Sequence, residues 1–386
     1  MPGVLWLASV MVWAAEEPPP LQCSEGTELR GARPPDGVEE WCEDAAGTRQ
    51  GPTSRYFEEG GLSAVGSYVD DAPAGTWTTF HSSGDKESQG AYVGGDQSGP
   101  WTFWGPAGHR QRAGAYSHGV QTGEWVHWHD NGEVWYRGTY LGGRAHGVWT
   151  YHHDNGEREA EGTFLNGVKY GKWSHWHGDG GVSSEGSYVA GLKDGPWTYW
   201  FASGHVKKMG TYRSGRQYGV WTDFTEAGVR DRRVSFAEGQ LHGPQTSWHA
   251  NGNKASEGAF VTGVRDGRWD LWYEDGTQER VENWLGGVKE GDWTGYWPTG
   301  QEKFRGRLVA GREVGVWTHW HANGTKASEG GFVEGKPDGE WVAWYEDGTV
   351  RSRGRYVEGK RDGEWSFFNA DGSVERNESW ELGTKQ

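Results

Sequence analysis

The chain is short of cysteine, of long apolar runs and of positive charge, and each shortage closes off a class of protein. Its 386 residues include only two cysteines, both before residue 50, so a disulfide-dense scaffold and a cysteine-rich metal domain are both excluded. Beyond the N-terminus no stretch approaches the length of a membrane span. Hydrophobic residues make up 34%, too few for a compact core of ordinary size. Lys and Arg number 38 against 54 Asp and Glu, and the net charge of −16 is spread along the chain. Nucleic acid and anionic lipid surfaces, which need basic patches, are therefore poor partners. Also missing are a Gly-x-Ser-x-Gly elbow, a Walker-type loop, a His-Glu-x-x-His pair and a dinucleotide fingerprint in a strand–helix context. The expectation is a protein that is not an enzyme and uses no cofactor.

What the chain does have is glycine, 66 of them, and a period. From Gly51 onward the sequence superimposes on itself every 24 residues, giving fourteen units with no insertion or deletion. Glycine fills the first, tenth, sixteenth and twenty-first slots in 14, 14, 11 and 13 units, so 52 of the 66 are in register. A glycine at a fixed slot implies a positive φ or a close approach that a Cβ would block. The tenth slot follows Asn or Asp in eight units, as at Asn131, Asn251, Asn323 and Asp347. Asn-Gly and Asp-Gly between aromatic runs signal a hairpin. Each unit reads as strand, tight turn, strand, with Gly-x-x-x-Gly linking to the next.

Aromatic residues keep the same period. The third slot is Trp in twelve units, and the sixth and eighteenth are each aromatic in thirteen. These slots hold 22 of the 27 tryptophans and suit cross-strand ladders. Three aromatic side chains bury too little surface to order one unit alone, so the units must stack. A regular strand would put the third and sixth slots on opposite faces. Either both faces carry aromatic rows, or a bulge re-aims one of them. The fold class is all-β: an elongated array of antiparallel β-hairpins, single-layer or solenoid-like.

The phrase Gly-x-Tyr/Phe-x-x-Gly-x-x-x-Gly resembles the MORN repeat (membrane occupation and recognition nexus). Where the usual repeat has a further glycine, this chain has Trp. That Gly-x-Trp-x-x-Trp-x-x-x-Gly form is similar to bacterial MORN-variant repeats, including those of YwqK-type antitoxin-like proteins. The likeness covers residues 51–386 and implies a β-hairpin array that binds partners, with no catalytic residues to carry over.

Residues 1–15 read as a signal peptide, with an apolar run from Val4 to Trp13 and small residues for cleavage before Ala15 or Glu16. A secreted or periplasmic location follows. Residues 16–50 form a Pro-rich linker and a terminal cap. Behind a signal peptide, Cys23 and Cys42 are expected to form a disulfide; the alternative is two unpaired thiols in a cytosolic chain. Six histidines occupy the seventh slot, and His127/His129, His175/His177 and His319/His321 form His-x-His pairs. No Cys or carboxylate joins them at fixed spacing, so an aromatic ladder is expected and no metal.

Two functions from different classes fit. The first is a scaffold for unidentified protein partners, an antitoxin-like binder of one toxin being a special case. The second is a polysaccharide-binding array whose aromatic rows stack on sugar rings. The candidate binding residues are the sixth-slot tryptophans Trp104, Trp128, Trp176, Trp200, Trp248, Trp272, Trp320 and Trp344.

Overall fold

The computed structural model describes residues 20–386; the signal-peptide expectation for residues 1–15 lies outside them. The described residues form 32 β-strands and no helix. Two turns alternate along the chain, and glycine is needed in both. After the first strand of a unit the chain makes a three-residue loop. In one such loop the His129 N–H donates to the Glu133 carbonyl (2.8 Å) and the Gly132 N–H to the His129 carbonyl (2.9 Å). Gly132 has φ +90°, the left-handed residue that closes a type I turn with a bulge. Asn131 Oδ1 accepts the Glu133 N–H at 3.0 Å, which accounts for the Asn-Gly signature.

The Gly-x-x-x-Gly linker is the tighter of the two. Ser117 pairs directly with Val120, and both residues between them have positive φ (His118 +49°, Gly119 +74°). This is a two-residue type I′ hairpin turn. Its first residue is often not glycine, as at Ala190, Glu238 and Thr262, which costs about 1–2 kcal/mol. Ties to the preceding unit hold it in place. The Ser214 N–H donates to Asp194 (3.0 Å), the Glu358 N–H to Asp338 (3.0 Å), and the Gly215 N–H to the Lys193 carbonyl (2.8 Å). The opening glycine has a third role. Pairing jumps from Gly186↔Trp197 to Ser187↔Asp194, leaving Gly195 (φ +80°) and Pro196 in a bulge.

The sixteenth-slot glycines are there for space. A Cβ on Gly186 would stand 2.1 Å from Cδ2 of Trp197, because the indole lies flat across the glycine. The Trp197 Nε1–H donates to the Ser187 carbonyl at 3.1 Å. The same clasp recurs from Gly66–Trp77 to Gly354–Trp365. It buries third-slot tryptophans such as Trp125 to 0% exposure. Between successive tryptophans stands the eighteenth-slot ring: Tyr188 meets Trp173 and Trp197 edge-on, with centroids 6.0 and 5.3 Å away. Where Gln245 replaces Trp, Val234 replaces the opposing Gly, and both are buried. Where Glu282 replaces Gly, the facing strand breaks into Val288–Lys289 and Gly291–Tyr296.

The chain divides into two compact units, the described part of Met1–Glu157 with Phe164–Gly167, and Arg158–Thr163 with Val168–Gln386. In each, strands pair antiparallel with their neighbours in sequence, so neither ladder closes. The first unit begins with Glu28–Ala32 paired to Glu39–Glu43, itself paired to Arg49–Tyr56. Cys23 and Cys42 are joined by a disulfide, and Cys42 is buried.

Candidate functional site

The sixth-slot tryptophans sit where simple alternation does not put them. Pairing between Phe103↔Arg112 and Trp104↔Arg110 skips Gln111, and beyond this bulge Trp104 borders the same hollow as Phe103. A bulge therefore re-aims the row. All eight candidates are half-buried, and cations cover several rings. Lys86 lies 5.8 Å from the Trp104 ring centre, Lys254 5.6 Å from Trp272 and Arg305 5.4 Å from Trp320.

Two of the eight, Trp104 and Trp128, are brought together. With Trp135, Arg112 and His127 they line a hollow of about 450 Å³ in the first unit, with Gln111, Glu87 and Asp130 also on its walls. Trp135 is 45% exposed, and the Arg112 guanidinium lies 4.2 Å from the Phe103 ring centre. The His127 ring stacks on Tyr136 at 4.1 Å. Burial, with the charge of Arg112 second, lowers the His127 pKa to about 4. The His127 Nε2 is buried and unpartnered, as a neutral imidazole can be. Burial lowers His175 and His319, at the equivalent slot, in the same direction. Sequence reasoning missed Arg112, Gln111 and Trp135, because their slots hold different residue types in different units and no period marks them.

The two members of each His-x-His pair have separate partners. The seventh-slot imidazoles of His81, His129, His177, His249 and His321 each donate Nε2–H to the sixth-slot carbonyl of the next unit, at 2.8–3.1 Å. Tyr273, Trp297 and Tyr345 do the same from that slot. This is a ladder of clasps between units. Among the described residues no three His, Cys, Asp or Glu gather as a metal site would require.

The hairpin from one type I′ turn to the next is also the unit that a known family describes. Residues 121–141, 145–166, 193–214, 241–261 and 337–358 match the MORN repeat variant. These five hairpins are MORN-variant repeats. Each matched MORN-variant segment holds one strand, the three-residue loop and the returning strand. No curated protein matches the sequence. Among solved structures, the crystal structures of TcdB2-TccC3 and TcdB2-TccC3-Cdc42 are each 11% identical, with a TM-score of 0.16. The match covers 93% of this chain but only 22% of theirs.

Proposed function

We propose that this MORN-variant array is a non-enzymatic scaffold that binds protein partners in a secreted or periplasmic setting. The observation that carries this reading is a row of exposed aliphatic side chains flanking the type I′ turns. Val93 is 67% exposed and Leu141 60% in the first unit; Leu285 is 65% and Val333 58% in the second. The third-slot tryptophans, by contrast, are consumed by the fold. The aliphatic position recurs along the array, interrupted at residues such as Ser117 and Arg213. Exposed apolar surface of this kind offers an interaction face, and aliphatic side chains suit a polypeptide better than a sugar ring. The disulfide supports an oxidising compartment, and among the described residues no helix is long and apolar enough to cross a membrane.

The test is affinity capture from cell-envelope and culture extracts, with the disulfide intact, read by mass spectrometry and sugar analysis. One protein in near-stoichiometric amount, reduced by Val93→Asp with Leu141→Asp, is expected; its identity separates an antitoxin-like inhibitor from a general scaffold. Capture of nothing, or of polysaccharide alone, would overturn the reading. The hollow at Trp104, Trp128 and Trp135 favours a second reading, carbohydrate binding, because aromatic walls beside planar polar groups suit a sugar. Its test is a shift of tryptophan fluorescence on adding soluble polysaccharides.

A further inference from the structure

Three lysines of the second unit converge on one aromatic cluster. Lys169 Nζ lies 3.9 Å from the Trp173 ring centre, Lys193 Nζ 4.1 Å from Trp197, and Lys208 Nζ 4.6 Å from Tyr199. Lys193 also donates to the Tyr199 hydroxyl at 2.8 Å, which lies 3.2 Å from the Tyr212 hydroxyl. All three lysines are half-buried. Burial lowers the pKa of Lys169 and Lys193; for Lys193 the neighbouring charges of Lys208 and Lys169 add to it.

Elsewhere on this ladder several cations at the same slots are matched with acids. Lys289 over Trp293 and Arg112 over Phe103 stand singly without one, and among the described residues only here do three such cations cluster. Arg265, which covers Trp269 as Lys193 covers Trp197, pairs with Glu282 at 3.1 Å. Arg361 over Trp365 pairs with Glu378 at 3.8 Å. Arg232, at the slot of Lys208, takes Asp223 at 2.9 Å, the residue directly opposite Lys208 in the register. Among the described residues no carboxylate forms an ion pair with Lys169, Lys193 or Lys208, in a chain whose net charge is −16. The ring contacts offset part of the cost of holding these ammonium groups out of water. An approaching carboxylate would remove more of it and relieve their mutual repulsion.

We infer that Lys169, Lys193 and Lys208 form the docking point for an acidic polypeptide segment, its Asp and Glu carboxylates pairing with the three ammonium groups. Lys169 and Lys193 stand two strands apart, roughly 10 Å along the ladder, which acidic side chains a few residues apart on an extended segment can span. The ammonium groups already cover Trp173 and Trp197, so the cluster offers charge and tyrosine hydroxyls rather than open rings for stacking a sugar. The inference rests on the protein-scaffold reading and gives it a partner chemistry.

The test titrates the full chain into a fluorescently labelled oligoglutamate peptide and follows anisotropy at low and physiological salt. Saturable binding is expected, weakened by salt and at least tenfold weaker for the Lys169→Gln, Lys193→Gln, Lys208→Gln triple variant. The Arg-for-Lys triple variant retains it. So does Lys254→Gln with Lys326→Gln, whose lysines already pair with Glu257 and Glu329. Near-UV circular dichroism confirms that each variant is folded. No binding by the native chain, or equal weakening in the Lys254/Lys326 control, overturns the inference. Preference for polygalacturonate with the same triple-variant sensitivity also overturns it and makes the ligand an anionic polysaccharide. If the Gln triple variant still captures the native chain's protein partner, the scaffold stands and this docking point falls. If lysine-dependent peptide binding holds but affinity capture recovers no protein, the docking chemistry stands and the scaffold reading falls.

Discussion

A methyl group added at Gly186 would stand 2.1 Å from the Trp197 ring, and the ring cannot retreat without giving up its bond to the Ser187 carbonyl. Gly186→Ala is expected to cost about 3 kcal/mol, read as a lower urea midpoint. Gly123→Ala, at a slot with φ +64° and nothing within 4 Å of the new Cβ, should cost about 1–2 kcal/mol. The chain itself offers the compensating change in Val234 opposite Gln245. Gly186→Val with Trp197→Gln should therefore be less damaging than the sum of its two parts, a coupling that a double-mutant cycle measures. Also at this scale, His127 is neutral when folded. Its pKa is lowered from 6.5 to about 4, so between those values the unfolded chain binds more protons than the folded one. The stabilisation is complete above about pH 6.5 and is lost as the pH falls towards 4. His127→Phe should flatten the fall of the unfolding midpoint across that window; an unchanged slope would count against a buried neutral imidazole.

At the scale of the hairpin, the seventh slot sews one unit to the next. His249 donates to the Trp272 carbonyl at 2.8 Å, and Tyr273 does the same to the Tyr296 carbonyl at 2.8 Å. His249→Ala should cost about 1 kcal/mol, while His249→Tyr should stay within about 0.5 kcal/mol of the parent, both by urea denaturation. A large loss in the tyrosine variant would mean the ring does something other than donate. Much of this level is legible in sequence, because a 24-residue period with four glycine slots leaves few architectures open. The division of labour among the slots is not legible. Positive φ at Gly132 and Gly195 and close approach at Gly186 are the same letter, and only the register separates them. Asn131-Gly132 looks like the tightest turn, yet that geometry belongs to pairs such as His118-Gly119, where contacts from the preceding unit override the local preference. Arg112, Trp135 and the three lysines occupy slots whose residue type varies, so periodicity passes over them. The sixth-slot tryptophans show the converse: strict periodicity marks them, yet their rings are half-buried against their neighbours.

Over the whole molecule, neighbour-only pairing makes stability a sum of local terms, and the N-terminal strands add a staple. The disulfide closes a loop with a sequence separation of 19, worth about 3 kcal/mol in the unfolded-chain account. Reduction should expose sites before residue 50 to limited proteolysis while the 24-residue units stay protected. Early cleavage throughout the units would show that the cap governs far more than its neighbours.

The central claim, that successive MORN-variant hairpins together present a surface to a protein partner, is tested most directly by hydrogen–deuterium exchange. The chain would be measured alone and saturated with the protein recovered by affinity capture. The account predicts new protection over several consecutive units, strongest in the strand ends flanking the type I′ turns such as Val93, Leu141, Leu285 and Val333. Protection confined to residues 20–50, or no change in any repeat, would contradict it.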